Sequence, residues 1–92
     1  MNIQLHRYVI IADHPDFEGV TSFCFIASDP ARAKRLAWGA AFTYFRDDPT
    51  NMRGPVEVPL GACDQEIDHV VDRLANNVDA PAFTREEAFG RE

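Results

Sequence analysis

Residues 3–28, "IQLHRYVIIADHPDFEGVTSFCFIAS", contain two β-strand patterns separated by a polar segment. Every second position of the first pattern is apolar, except that Arg7 interrupts the series. The apolar positions of this series are Ile3, Leu5, Val9 and Ile11. In the second pattern, Phe23 and Phe25 alternate with the small residues Ser22 and Cys24. A period of two in residues that favour extended backbone predicts two strands, and we expect an antiparallel hairpin with a long loop.

The polar segment, "ADHPDFEG" at residues 12–19, contains the residue types of a catalytic or metal site. A calcium loop needs carboxylates at alternate positions, a central glycine and a later glutamate, and Asp13, Asp16 and Glu18 do not have this spacing. A zinc site would have to join His14 to a distant cysteine or histidine, and no spacing in the sequence supports this. Polar residues beside proline and glycine are usual in a hairpin loop. We therefore interpret the segment as a loop and expect no metal ion there.

The clearest helix pattern follows in "SDPARAKRLAWGAAFTYFRDDP" at residues 28–49. Asp29 is placed to cap the helix, and Pro30 suits the first helical position because its missing N–H has no helical partner there. The apolar arc of this helix is wider than one sheet face needs, so we expect its aromatic residues to meet a second element. These residues are Trp38, Phe42 and Phe45.

The second half of the chain predicts a turn, a strand and a second helix. Turn-forming residues fill "DDPTNMRGP" at residues 47–55, and "VEVPL" at residues 56–60 predicts a short strand that Pro59 places at the sheet edge. In "DQEIDHVVDRLANNV" at residues 64–78, the apolar positions match a helix without a miss, and Asp64 is the expected N-cap. Those apolar positions are Ile67, Val70, Val71, Leu74, Ala75 and Val78.

The C-terminal segment "FTREEAFG" predicts one further helical turn, because Thr84 and Glu87 have the spacing of a capping box. Together the elements predict an α+β domain of two layers, with a three-stranded antiparallel sheet packed against two helices in the order ββαβα and a short C-terminal helical turn. We expect residues 1–92 to form a single domain, in which residues 80–92 are a flexible or loosely docked tail.

Length and composition predict an ordinary soluble domain. The chain has 92 residues, which suffice for one hydrophobic core, and 46% of them are hydrophobic while 26% are charged. No apolar run approaches the roughly 18 residues that a membrane span requires, and the N-terminal residues do not have the pattern of a secretory signal. Two cysteines are too few for a disulfide framework. We therefore expect a reduced, cytoplasmic protein.

The charged residues are distributed unevenly along the chain. Residues 1–46 contain five basic and four acidic side chains, for a net charge of +1, whereas residues 47–92 contain four basic and eleven acidic ones, for a net charge of −7. This asymmetry predicts two surfaces with opposite electrostatic preferences. It argues against general nucleic-acid binding by the whole domain, which would need a basic surface.

Two charged surfaces are candidates for partner binding. The first, which we call the basic stripe, lies on the first helix and consists of Arg32, Lys34, Arg35 and Arg46. It is either a solvated helix face or a ridge whose guanidiniums contact phosphates. The second, which we call the acidic face, lies on the second helix and consists of Asp64, Glu66, Asp68 and Asp72. It is either a solubilising face or a docking surface for a basic protein channel.

A catalytic site built on Cys63 and His69 is the remaining possibility. The two residues lie six positions apart in "CDQEIDH", where the start of a helix could activate a thiol. Residues six apart on a helix do not face one another, however, and the sequence offers no third group that would orient His69. We therefore expect no catalytic residues and no cofactor.

The first half of the chain resembles small phage and prophage ββα proteins, among them some anti-CRISPR inhibitors. The resemblance covers residues 8–46, where a hairpin runs directly into a helix with a capped, basic first turn. The residues that carry it are Ser28, Asp29, Ala33, Lys34 and Arg35. It implies a non-enzymatic inhibitor that occupies a surface of a CRISPR effector complex in the cytoplasm of a bacterial host.

Two functional hypotheses follow. In the first, the protein acts by stoichiometric occupancy and blocks target-DNA recruitment by a bacterial CRISPR effector complex. The acidic face would mimic phosphates in a basic channel, or the basic stripe would contact guide RNA, or both. In the second, the protein is a small regulatory or nucleic-acid-binding module that uses the basic stripe alone. Neither hypothesis involves a membrane or a small-molecule substrate.

Overall fold

The computed structural model describes residues 3–77 and 80–90 of the chain. Strands and helices follow one another in the order ββαβαβα. The strands are β1 (His6–Asp13), β2 (Thr21–Ala27), β3 (Asn51–Val58) and β4 (Ala82–Phe83). The helices are α1 (Pro30–Phe45), α2 (Asp64–Asn76) and α3 (Arg85–Phe89).

The strands form one antiparallel sheet with the spatial order β2-β1-β3-β4, which confirms the α+β class and the predicted hairpin. The prediction of three strands is wrong, because β4 adds a fourth through pairs between Met52 and Phe83 and between Arg53 and Ala82. β4 has only two residues, and a period of two cannot be recognised in so short a segment.

The predicted two-layer arrangement is also wrong, because the sheet has a helix on each of its faces. Tyr8, Ile10 and Ala12 of β1 belong to the core beneath α1, whereas Val9 and Ile11 belong to the core beneath α2. All five residues are buried. An unbroken apolar run of this kind is typical of a strand that is covered on both faces, and it gives the domain three layers.

α1 begins as predicted and packs closely on the sheet. Asp29 is its N-cap, and the Asp29 carboxylate accepts a hydrogen bond of 2.8 Å from the Arg32 N–H. The side of α1 that faces the sheet is lined mainly by alanines, which allow the helix backbone to approach the strands, and by two aromatic residues. The buried residues of α1 are Ala33, Ala37, Trp38, Ala41 and Phe45. Phe42 is not part of this core, because its side chain is 49% exposed.

The C-terminal segment packs against α1. The Trp38 ring lies 6.4 Å from the ring of Phe83, and Phe83 and Ala88 are both buried. Thr84 caps α3 as the sequence predicts, because its hydroxyl accepts a hydrogen bond of 3.2 Å from the Glu87 N–H. Residues 80–90 are therefore attached to the domain through both core and backbone contacts, while the rest of the predicted tail, residues 91 and 92, lies outside the described residues.

α2 covers the opposite face of the sheet. Val70 and Leu74 are buried against Val9 and Ile11 of β1, as the helical pattern predicts. The helix begins at Asp64, one residue earlier than expected, so that Cys63 and not Asp64 is the N-cap, and the Cys63 side chain makes no capping hydrogen bond. Val78, the last position of the predicted pattern, lies outside the described residues.

β3 is longer than predicted, because part of the predicted turn at residues 47–55 is strand. Val9 pairs with Val56 and Ile11 pairs with Arg53, so Gly54 and Pro55 together face the single residue between them on β1. This extra residue makes a β-bulge, which a glycine can occupy with a positive φ, here 115°. Glycine and proline in this stretch therefore mark an irregular strand and not a turn. Past its short pairing with β4, β3 forms part of the sheet edge.

No helix in the described ranges combines the length and the apolar character needed to cross a membrane.

Candidate interaction surfaces

The hairpin loop between β1 and β2 is held in place by His14, which is 6% exposed. Its ring stacks on Phe45 with 5.1 Å between the ring centroids. The Nδ1 atom accepts a hydrogen bond of 3.1 Å from the Asp16 N–H, and Nε2 lies 3.1 Å from the Asp47 carboxylate. Because Nδ1 accepts, the neutral ring has its proton on Nε2 and donates it to Asp47. The histidine that suggested a reaction centre therefore joins the loop to the end of α1.

The hydrogen bond from His14 holds the pKa of Asp47 below its ordinary value. A second hydrogen bond, 2.8 Å long and donated by the Asp48 N–H, acts in the same direction. No group of three histidine, cysteine or acidic side chains within residues 3–77 and 80–90 is arranged to hold a metal ion.

Cys63 and His69 do not form the pair that a nucleophile and its base would require. Both residues are exposed, and the Cys63 thiol contacts a carboxylate oxygen of Glu66 at 3.5 Å. Six helical positions rotate a side chain by about 240°, so His69 points away from the Cys63 side of the helix. The geometry gives no support to a thiol-based reaction.

The basic stripe is divided by the way α1 packs. Arg32, Arg35 and Arg46 are exposed, whereas Lys34 is half-buried, with its Nζ atom 5.5 Å above the centre of the Phe83 ring. Lys34 therefore packs on the C-terminal segment and is not part of the outer surface. Arg46, at the end of the helix, lies about 16 Å along the helix axis from Arg35. The structure keeps three arginines of the stripe at the surface but spreads them along the helix.

A groove with a volume of about 450 Å³ runs between α1 and α3, beside the basic stripe. Trp38, Phe42 and Phe89 line it, and Phe42 and Phe89 are 49% and 45% exposed. The Arg85 guanidinium lies 5.9 Å above the Phe89 ring. Sequence reasoning missed this groove, because it exists only where α3 packs on α1, and residues 80–92 were expected to be loosely docked.

The four residues of the acidic face are all exposed, but they do not form one ridge. Asp64, Asp68 and Asp72 follow one another at intervals of four residues and share one side of α2. Glu66 is rotated by about 160° from Asp68, and it lies on the opposite flank of the exposed surface. We call the three aspartates the acidic stripe. None of them forms an ion pair with a residue in the described part of the chain.

Two arginines of the sheet hold the two ends of α2. Arg7 donates to the carbonyl oxygens of Leu60 and Ala62, just before the helix, at 3.2 and 3.1 Å. At the other end, Arg53 donates at 2.9 and 3.2 Å to the carbonyl oxygens of the last turn, those of Leu74 and Ala75. These guanidiniums thus bind backbone carbonyls and form no ion pair with the acidic stripe. The sequence signal for this role was Arg7 itself, a charged residue in an apolar strand series.

The two charged surfaces lie on opposite sides of the molecule, because α1 covers one face of the sheet and α2 covers the other. One flat partner surface therefore cannot contact the basic stripe and the acidic stripe together. Comparison with protein-family models, with curated proteins and with solved structures finds no match for the chain. The basis for a function is thus the chemistry of these surfaces.

Proposed function

We propose that this protein is a small non-enzymatic binding protein that acts by stoichiometric occupancy, with the acidic stripe of α2 as its contact surface. The observation that supports this choice is the line of three exposed carboxylates, about 12 Å long, that forms no ion pair within the described part of the chain. Unpaired carboxylates attract a basic partner and accelerate its association. A basic groove would relieve the repulsion among them.

The contacts that hold α2 on the sheet support the same proposal. Val70 and Leu74 fix its inner side, and Arg7 and Arg53 hold the backbone at its two ends. A helix held in this way presents its outer side chains in one arrangement before binding. A contact surface that is already ordered loses less conformational entropy when the complex forms.

A narrower proposal concerns the partner. The resemblance of residues 8–46 to small phage proteins favours an anti-CRISPR inhibitor, whose partner is a bacterial CRISPR effector complex in the cytoplasm. Such a complex binds target DNA in a positively charged channel. The acidic stripe would occupy this channel and block recruitment of target DNA. In the alternative form of this proposal, the exposed arginines of the basic stripe, on the far side of the domain, contact guide RNA and the acidic stripe does not bind.

A second candidate function is a nucleic-acid-binding module that uses the basic stripe. The observation that favours it is the position of Phe42 and Phe89, two exposed aromatic rings beside Arg35 and Arg85. Single-stranded nucleic acids bind to surfaces that combine cationic side chains with aromatic rings on which bases stack. This function requires direct binding of a free oligonucleotide to the basic stripe. A protein that binds only through the acidic stripe would repel an oligonucleotide.

The test uses the full chain with an affinity tag in a lysate of bacteria that express a CRISPR effector complex. We expect the wild-type chain to retain that complex, as identified by mass spectrometry, and double-stranded target DNA to displace it. Asp68→Lys with Asp72→Lys should abolish retention through a slower association rate. The control is Glu18→Lys with Glu86→Lys, two exposed positions outside α2, because both pairs change the net charge from −6 to −2.

Arg32→Ala with Arg35→Ala separates the two candidate functions. If the acidic stripe is the contact surface, these substitutions leave retention of the complex unchanged. If the second function is correct, the wild-type chain binds a free single-stranded oligonucleotide, and the arginine pair weakens that binding and reduces its dependence on salt. Retention that survives the lysine pair and is lost in the arginine pair would reverse the order of the two proposals.

A further inference from the structure

β2 forms one edge of the sheet. Among the described residues, β1 pairs with one side of β2 and no strand pairs with the other. Within the described part of the chain, Thr21–Ala27 makes no backbone hydrogen bond outside the sheet ladder. Alternate residues of an edge strand direct their N–H and C=O groups outward, so this edge presents a row of unpaired donors and acceptors.

The edge lacks the devices that usually prevent strands from pairing. Sheet edges are commonly protected by charged residues, by proline, by bulges or by short length. β2 has seven residues and contains neither a charged residue nor a proline. The opposite edge has all four devices, because β4 has two residues and the unpaired part of β3 contains the bulge at Gly54, Pro55 and Glu57.

We infer that β2 is a dimerisation edge, at which β2 of a second copy adds in antiparallel orientation and joins two sheets into one of eight strands. A two-fold axis at Cys24, the middle residue of the strand, gives the strand a self-complementary register. It places Phe23 opposite Phe25 of the other copy, on the face that α1 covers. Aromatic pairs directly across two strands are favourable. On the other face, Ile26, which is 55% exposed, lies opposite Ser22 of the other copy, two residues from the axis.

The distribution of charge favours a second copy of this chain as the partner that pairs with β2. The chain has a net charge of −6, which opposes self-association through most surfaces, but residues 47–92 account for the excess of acid. The acidic stripe lies on α2, which packs on β1 and β3 and leaves β2 free. Arg7 contacts β2 from β1, with its Nε atom 3.0 Å from the Cys24 sulfur, and so lies one strand inward from the edge. Two copies can therefore approach through β2 with their acidic stripes apart.

The first test is the mass of the purified full chain in sedimentation equilibrium over a wide range of concentrations. We expect the mass to rise from that of one chain to that of two. Ser22→Lys places a charge on the edge and should return the protein to a single chain, with its circular dichroism unchanged and its melting temperature equal to that of the wild-type chain at concentrations where both are monomeric. Gln65→Lys adds the same charge to the exposed side of α2 and should leave the dimer intact. A wild-type chain that stays monomeric at every concentration, or a dimer that resists Ser22→Lys, overturns the inference.

Disulfide cross-linking tests the register without altering the edge. Both cysteines are free and exposed. Under mild oxidation, Cys63→Ser should form a covalent dimer through Cys24 as quickly as the wild-type chain, because the axis places the two Cys24 residues opposite each other. Cys24→Ser should not form one. Cross-linking that requires Cys63, or that proceeds equally through either cysteine, contradicts pairing through β2.

Discussion

On one face of the sheet, α2 packs on β1 and β3 with a few loop residues beside it (Val20, Ala62 and Ala80), whereas the other face is covered by three separate segments, namely α1, α3 and the hairpin loop. The α2 face has an aliphatic core, in which valine, leucine and isoleucine meet. The α1 face has an aromatic core that includes Trp38, Phe45 and Phe83, with His14 stacked at its margin. One face is thus closed mainly by an amphipathic helix, and the other by contacts between distant parts of the chain.

This difference determines where each face is vulnerable. The α2 face depends on a periodic pattern that lies within thirteen residues, so its stability rests on a few aliphatic side chains. The α1 face depends on segments whose contacts join residues far apart in sequence, such as Trp38 with Phe83 and His14 with Asp47. Substitutions at those junctions should detach a segment, whereas substitutions on α2 should open the core directly.

The largest effect is expected for Phe83→Ala on the α1 face. This ring is 5% exposed and fixes both β4 and α3 to the domain, so its removal should lower the free energy of unfolding by about 3–5 kcal/mol. Urea denaturation measures the loss. Phe89→Ala is the matched control, because Phe89 is 45% exposed and its removal should cost less than about 1 kcal/mol. Equal losses for the two phenylalanines would show that the C-terminal segment does not close this face.

Leu74→Ala tests the α2 face in the same way. Leu74 is 4% exposed and packs against β1, and we expect a loss of about 2–5 kcal/mol in the free energy of unfolding. Leu60→Ala, at a leucine that is 54% exposed, provides the control and should have a small effect. If Leu74→Ala leaves the denaturation midpoint unchanged, α2 does not pack on the sheet as described.

His14→Ala should have an intermediate effect, of about 1–3 kcal/mol, because it removes a stacked ring and two hydrogen bonds from the margin of the α1 face. Amide hydrogen exchange should show faster exchange in the hairpin loop and at the end of α1 than elsewhere. His69→Ala, an exposed histidine on α2, should change neither stability nor exchange. A loop that is unaffected by His14→Ala would mean that this face is closed by α1 and α3 alone.

The smallest effect is expected in the dependence of the melting temperature on pH. The pKa of Asp47 is lower in the folded chain than in the unfolded one, so the hydrogen bond from His14 stabilises the fold above the unfolded pKa. That contribution is lost as the pH falls below about 4 and through the folded pKa. Melting temperatures measured from neutral pH to pH 3 should therefore fall less steeply for Asp47→Asn than for the wild-type chain. Asp48→Asn should retain the wild-type slope, and an identical slope for Asp47→Asn would contradict the contact.

The sequence predicted those features whose signal is local. Asp29 and Thr84 cap their helices, the two strand patterns within residues 3–28 form the hairpin, and Val70 and Leu74 of the apolar stripe of α2 are buried. Each of these rests on residues within one or two turns of each other. The exposure of the charged residues on both helices, Lys34 excepted, could be anticipated on the same grounds.

The features that the sequence did not predict depend on contacts between distant segments. β4 is too short for a pattern, and its pairing with β3 depends on where the chain returns after α2. Gly54 and Pro55 are typical of a turn, and only their position opposite Ile10 makes them a bulge. The run of apolar residues in β1 fits burial on one face or on both, and the choice between them required the location of α2. The separation of Glu66 from the acidic stripe could have been inferred from helical spacing.

The bulge at Gly54 has a consequence for mutational scanning of this domain. A Cβ atom at this position would lie 2.8 Å from the Val9 carbonyl oxygen, and the φ of 115° is strained for any other residue. The Gly54 N–H also donates a hydrogen bond of 2.8 Å to the Pro81 carbonyl oxygen, and this bond holds the start of the C-terminal segment. In a library selected for partner binding, position 54 will therefore be as depleted of variants as a contact residue. A parallel selection for abundance alone will show the same depletion there, and will leave Asp68 and Asp72 tolerant of change.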